Sequence, residues 1–339
     1  MPISNPNEIR KRLVTVGELV RDHVLLELRR QSADTLSAVA FHSAADTIYE
    51  IDRSVETILL PALQKELQPL VSFTLICEGV NDEQPLSFPL DIPIDDCELR
   101  IIIDPIDGTR PIMYNKRSAW VLMGVAPNRG VATTLADIEL AVQIELPTTR
   151  AAVADTLWAI RGQGAFGETT DLKTGERVPF RPQPSGAPSI RGGFAMLTSF
   201  FPIGKELLAR IEEDLAQELF GDLSTNKTAL FNDQYLSTGG QLYELMMGHD
   251  RMIADVRSLL YEKCQREGKP TGHSCHPYDI CTALIAEEAG VSVTDGHGQQ
   301  LTAPLTTTDD VSWIGYANPT IRDEVEPVLQ ALLQKYGLR

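Results

Sequence analysis

Two carboxylates, a glycine and a hydroxyl end an apolar run, Ile101-Ile-Ile-Asp104-Pro-Ile-Asp107-Gly-Thr109. Aspartates this close repel each other, and burying them bare is very costly. A hard divalent cation resolves the conflict, because Mg²⁺ takes oxygen ligands and keeps positions open for water and phosphate. Pro105 and the tight turn splay the two side chains around one point. Gly108 lets the backbone come close to a ligand. Pro111 suits the first turn of a helix whose free N–H groups face an anion. Asp-Gly alone is a common turn. The whole string, with its paired carboxylates and hydroxyl, reads as a metal and phosphate site.

Asp104-Pro-Ile-Asp-Gly-Thr109 resembles the first motif of the inositol monophosphatase-like phosphatases. That superfamily includes inositol monophosphatases, fructose-1,6-bisphosphatases and phosphatases of 3′-phosphoadenosine nucleotides. Other landmarks stand in order. Phe73-Thr-Leu-Ile-Cys-Glu78 is similar to a strand ending in Gly-Glu-Glu, with Gly79 replacing the second glutamate. Asp46-Thr-Ile-Tyr-Glu-Ile-Asp52 resembles an Asp-x-x-Thr-x-x-Asp segment, with Tyr49 at the threonine. Gly162-Gln-Gly-Ala-Phe166 matches a Gly-x-Gly-Ala-Phe turn. His276-Pro-Tyr-Asp279, continuing to Glu287-Glu-Ala-Gly290, resembles a Trp-Asp helix that ends in Glu-Ala-Gly, with Tyr278 at the tryptophan.

The resemblance implies an α+β (mixed α/β) chain folded as a layered αβαβα sandwich of the sugar phosphatase type. It implies a Mg²⁺-dependent phosphomonoesterase of a small phosphorylated polyol, either inositol monophosphate or a sugar phosphate. Fructose 1,6-bisphosphate and 3′-phosphoadenosine 5′-phosphate are the rival substrates. Glu78, Asp104, Asp107, Asp279 and the Ile106 carbonyl would hold two or three metals. Glu78, Thr109 and Asp46 would form the catalytic set, and the Gly108 and Thr109 N–H groups would hold a phosphate oxygen. On the substrate side, Asp255 would accept a sugar or inositol hydroxyl. The residues themselves add that Arg257, Lys263, Arg266 and Lys269 would meet a second phosphate or other anion, unless their segment is a solvated insertion. His276 would orient groups near Asp279, and Arg110 would pair with an acid or help hold phosphate. Gly79 and Tyr49 leave the metal count open. A non-catalytic homologue that binds metal or phosphate is the reading from another class.

Composition fits a soluble enzyme. The 339 residues are 43% hydrophobic and 23% charged, enough for two lobes around sizeable cores. A net charge of −17 argues against nucleic-acid polymers and anionic membranes as partners. Five scattered cysteines and no apolar leader point to the cytoplasm. The resemblance adds a homodimer. Cys264, His273, Cys275, His276 and Cys281 include no Cys-x-x-Cys pair, so zinc has little support.

Periodicity predicts helices near 7–30, 53–67, 204–219, 237–247, 279–289 and 319–336. It predicts strands near 72–77, 99–103, 119–126, 138–146, 151–160, 192–199, 251–256 and 311–316. Arg257 to Gly272 reads as a solvated helical insertion carrying Lys263, Arg266 and Lys269. The Pro- and Gly-rich stretch 181–188 is the expected boundary between lobes 1–185 and 190–339.

Overall fold

The computed structural model describes residues 3–42, 47–81, 84–221 and 228–339. Its first half runs α1 (Pro6–Arg30), α2 (Ala33–Leu36), a ribbon of β1 (Val39–His42) and β2 (Thr47–Tyr49), and α3 (Glu50–Glu66). Then come β3 (Phe73–Cys77), β4 (Leu86–Phe88), β5 (Leu99–Asp107), α4 (Thr109–Met113) and β6 (Ala119–Pro127). Four more strands follow: β7 (Leu140–Leu146), β8 (Val153–Ile160), β9 (Ala165–Asp171) and β10 (Arg177–Phe180). Strands β3 to β10 form one sheet in the order β10-β9-β8-β7-β6-β5-β3-β4, antiparallel except where β3 runs beside β5.

The second half holds β11 (Phe194–Leu197), α5 (Lys205–Phe220), α6 (Thr238–Met246), β12 (Asp250–Asp255) and α7 (Arg257–Arg266). It ends with α8 (Pro277–Ile280), α9 (Ala283–Ala289), β13 (Ser292–Asp295), β14 (Trp313–Tyr316) and α10 (Pro319–Lys335). Its strands form a four-stranded sheet, β11-β12-β14-β13.

Alternation along each strand builds the layers. Ile101 and Ile103 of β5 enter a core with Leu13, Val16 and Val20 of α1 and Val55 and Leu59 of α3. Ile102 between them points the other way, into a core with Leu242 and Leu245 of α6 and Ile285 of α9. That middle core also takes Ile253 and Trp313 from the smaller sheet. The smaller sheet's far side, through Ala254 and Ile314, packs on α5, α7 and α10. The result is five layers, αβαβα. Each fully buried Leu, Ile or Val contributes about 1.5–3 kcal/mol.

Three segments differ from the sequence expectation. Strand β5 continues four residues past Ile103 and carries both aspartates. The single helix expected at 279–289 is two, α8 and α9. Its break at Cys281 and Thr282 lies against Gly124, where an added Cβ would come within 2.9 Å of the Cys281 carbonyl. The Thr282 hydroxyl in that break donates to Gln143 Oε1 at 3.0 Å. The insertion helix α7 is not a solvated one, since Arg257, Leu259, Leu260, Tyr261 and Cys264 are buried. Among the described residues no helix is long and apolar enough to cross a membrane.

Candidate metal centre and active site

Residues three apart on a regular strand face opposite sides of the sheet. Asp104 and Asp107 escape that rule through a bulge. Asp104 pairs with Leu122 and Asp107 with Trp120, with the register shifting between them. Leu122 and Trp120 are two apart and share a face, so the bulge brings both carboxylates to the side of α6 and α8. Parallel pairing sets the third acid. Cys77 lies beside Ile103 in the α1–α3 core, so the next residue, Glu78, arrives beside Asp104 on the opposite face. The Glu78 N–H donates to the Ile103 carbonyl at 3.3 Å.

Asp279 comes from the other half of the chain. It is the third residue of α8, and its Oδ2 accepts the His276 N–H at 2.6 Å, capping the helix. Carboxylate oxygens of Asp104, Asp107 and Asp279 lie within 4.8 Å of one another. Asp104 is 1% exposed and Asp107 5%. Asp104 Oδ1 accepts the Ile106 N–H at 2.9 Å. Asp107 Oδ2 accepts Ser237 Oγ at 2.7 Å and the Gly239 N–H at 2.6 Å, and its Oδ1 accepts the Thr238 N–H at 3.2 Å. Asp107 therefore sits on the N-terminus of α6, where backbone donors favour an anion.

Those donors do not restore ordinary acidity. Burial raises the Asp104 pKa well above the carboxylate range, and Glu78, Asp107 and Asp279 add repulsion. Asp107 is pushed up to about 7 by burial and then by Asp279, against the pull of Ser237, Gly239 and Thr238. A cluster of hard oxygen donors that resist ionisation together fits a divalent cation, whose charge removes the repulsion. Ile106 lines the same cleft, and its carbonyl would be a further oxygen for a cation.

Beside the cluster stands a hydroxyl. Thr109 Oγ1 lies 2.8 Å from the Ile106 carbonyl and 3.1 Å from Asp52 Oδ1, so its one proton is shared between them. Gly108 precedes it with a left-handed φ of 95°, and an added Cβ would come within 3.1 Å of the Ser237 Cβ. Asp46, expected in the catalytic set, lies outside the described residues. Asp52, the other acid of that segment, is the one that reaches Thr109. The sequence held a signal for it: Asp52 opens α3, where its Oδ2 caps the Tyr49 N–H at 2.8 Å. Glu56, one turn further along α3, was also passed over. It lines a side cleft with Asp52, Glu78 and Gly79.

Two departures from the motifs now have physical reasons. Gly79 has a φ of 69°, which an L residue such as glutamate rarely adopts. Tyr49 and Arg110 are departures that meet: the guanidinium lies 5.8 Å from the tyrosine ring centre, a cation–π distance.

The substrate side is arranged differently from the sequence expectation. Asp255 is fully buried and does not line the cleft over the acids, whereas Arg257 does. Arg257 grips Asp255 through Nε at 2.8 Å and Nη2 at 2.6 Å, which occupies the carboxylate meant for a hydroxyl. Of the two histidines, His273 lines the cleft. His276 holds Asp279 by its backbone, with its ring Nδ1 2.9 Å from the Asp309 carbonyl. Phe200, Phe201 and Ser274 also line the cleft and were not foreseen. Lys263 and Lys269 pair with Glu267, and Arg266 donates to the Gly337 carbonyl at 3.0 Å, all outside the cleft.

The remaining landmark motifs meet each other away from the acids. Glu288 accepts the N–H groups of Gly162 and Gly164, each at 2.7 Å, and ties α9 to the turn before β9.

No family model matches the chain. By sequence it is similar to a glucose-1-phosphate thymidylyltransferase of Streptomyces griseus, 29% identical over 224 residues, which are 62% of this chain and 74% of that one. By structure it is similar to a fructose-1,6-bisphosphatase of Leishmania major, with a TM-score of 0.62, 15% identity and 98% and 99% of the two chains covered. It is also similar to the extragenic suppressor protein suhB of Bartonella henselae, with a TM-score of 0.64, 17% identity and 95% and 98% covered. A Thermotoga maritima IMPase aligns with a TM-score of 0.59 and 19% identity over 96% and 100%. The chain thus has the fold of the inositol monophosphatase and fructose-1,6-bisphosphatase structures, an α+β sandwich.

Proposed function

We propose that this chain is a divalent-metal-dependent phosphomonoesterase of a small phosphorylated polyol, with Mg²⁺ as its metal. The observation that carries the reading is the convergence of Asp104, Asp107 and Asp279 within 4.8 Å, next to the Thr109–Asp52 hydrogen bond. The sandwich fold shared with phosphatases supports it. The sugar phosphate in the name of the Streptomyces griseus relative supports that substrate class.

Asp104, Asp107 and Asp279 would hold the metal, with Glu78 and the Ile106 carbonyl as further oxygens. Bound cations would neutralise phosphate oxygens and lower the pKa of an attacking water. The chain's own part is positional. Thr109 Oγ1 orients the water, and Asp52 takes up the proton that the hydroxyl passes on. The Gly108 and Thr109 N–H groups hold a phosphate oxygen as charge develops. The water oxygen bonds to phosphorus, the ester P–O bond breaks opposite, and the leaving alkoxide takes a proton from solvent.

The relative's name raises a second reading, nucleotidyl transfer, which would release pyrophosphate in place of orthophosphate. The test measures both products. Inositol 1-phosphate, glucose 1-phosphate with and without a nucleoside triphosphate, fructose 1,6-bisphosphate and 3′-phosphoadenosine 5′-phosphate are each incubated with and without Mg²⁺. The expected outcome is Mg²⁺-dependent orthophosphate release that Asp104→Asn abolishes. Pyrophosphate as the product, or no release from any compound while Mg²⁺ still binds, would overturn the reading.

A further inference from the structure

We infer that the substrate carries a second anionic group besides the phosphate that is cleaved, and that Arg257 reads it. The inference rests on the phosphatase reading for the position of the first phosphate and adds a specificity-determining residue to it. Arg257 is the first residue of the ten-residue helix α7 and the one residue of that helix in the lining of the cleft. It is 4% exposed, yet it lines the cleft over the acids.

Three of its five N–H groups are taken within the protein. Nε and Nη2 bind Asp255, and Nη1 donates to the His273 carbonyl at 3.1 Å. This fixes the guanidinium plane, and among the described residues two N–H groups remain for a ligand. Phe200 lies 4.7 Å from the guanidinium and Phe201 5.5 Å, covering it with apolar surface. Water is kept from the faces, so a hydrogen bond made at the edge is stronger than at an open surface.

Asp255 is a positioning residue in this arrangement. It holds the fork in one orientation and cancels its long-range field, leaving a directional contact suited to a planar carboxylate or a phosphate. The expected polyol reader, a free carboxylate for hydroxyls, is consumed in building it. The shared chemistry of the ligand group is therefore a second oxyanion, from either a carboxylate or a phosphate.

Matched pairs test this. Glucose 6-phosphate is compared with 6-phosphogluconate, glycerol 2-phosphate with 2-phosphoglycerate, and fructose 1-phosphate with fructose 1,6-bisphosphate, all with Mg²⁺. The first two pairs add a carboxylate and the third a phosphate. In the wild type the doubly acidic member of at least one pair is expected to have a kcat/KM about tenfold or more higher. Arg257→Lys, which keeps the charge and loses the fork, should lower KM discrimination for that pair by a similar factor. The readout is the ratio within the pair, so a general loss of activity in the variant does not count as loss of discrimination. The wild-type preference needs no variant, so a poorly folded Arg257→Lys does not blunt the test. Orthophosphate release with no preference in any pair would overturn the inference and leave the phosphatase reading standing. If nothing is hydrolysed, the phosphatase reading fails. Calorimetric binding of the same pairs then decides: tighter binding of the doubly acidic member, lost in Arg257→Lys, supports the reader, and equal binding refutes it.

Discussion

Two neighbouring sets of carboxylates, Asp255 in one and Asp104, Asp107 and the half-buried Asp279 in the other, are treated by the chain in opposite ways. Asp255 is fully enclosed and receives its own cation, Arg257, in a two-pronged pair. Asp104, Asp107 and Asp279 converge with each other, and the charges that act most on Asp104 are other carboxylates. One site is electrically complete from the sequence. The other is complete only with a cation from solution. The difference teaches that burial of an acid is not itself a sign of a functional site; these two sites part in the sign of the charge nearest the acid.

The largest effect expected from this contrast is on turnover. Asp104→Asn should lower phosphate release by about a thousandfold or more, as loss of a principal charge-stabilising group does. Its effect on the metal-free fold should be small or stabilising, because it removes a buried repulsion. Arg257→Ala should do the reverse to stability. It strands Asp255 as a lone buried charge and should cost about 3–5 kcal/mol, read by denaturant unfolding. Equal losses of stability from both variants would break the comparison.

The pH dependence sharpens it. Below a pH near 4, Asp107 is protonated in both the folded and unfolded chain. Between about 4 and 7 the folded chain holds the extra proton, so metal-free stability falls as pH rises through that window. Mg²⁺ displaces that proton, so stabilisation by Mg²⁺ should grow with pH. At a hundredfold excess over Kd it should reach about 2.7 kcal/mol, seen as a larger Mg²⁺-induced rise in Tm at pH 7.5 than at pH 5. A Mg²⁺ gain independent of pH would contradict the raised pKa of Asp107.

The smallest effect belongs to a carboxylate outside both sites, Glu288, which accepts two backbone N–H groups. Glu288→Ala should cost about 1–3 kcal/mol of stability and leave Mg²⁺ affinity unchanged. A loss of Mg²⁺ binding there would show that the clamp and the acid cluster are not separate.

The site's core was legible because its residues are close in sequence or stand in distinctive strings. Asp104, Ile106, Asp107 and Thr109 lie within six residues, and Asp279 carries its own motif. What the string did not reveal was the bulge that turns both aspartates to one face, since pairing register is a property of two strands. The substrate side was least legible. Asp255 looked available because its partner, two residues on, was assigned to a solvated helix, and only packing of α7 shows that Arg257 folds back. Phe200 and Phe201 carried no signal beyond apolarity. The layering came from the resemblance, since the pattern of elements alone gives only mixed α and β, and β1, β2, β4, β9, β10 and β13 have no counterpart in the sequence expectation. The last four residues of β9 and all of β10 are half-exposed or polar in places and break the apolar pattern.

The central claim is that Asp104, Asp107 and Asp279 form a cation site. Calorimetric titration of Mg²⁺ into the wild type and Asp104→Asn at pH 7, in two buffers of different ionisation heat, tests it most directly. The account predicts saturable binding to the wild type with proton release, and its loss in the variant. Binding that is absent from the wild type, or unchanged by Asp104→Asn, would contradict it.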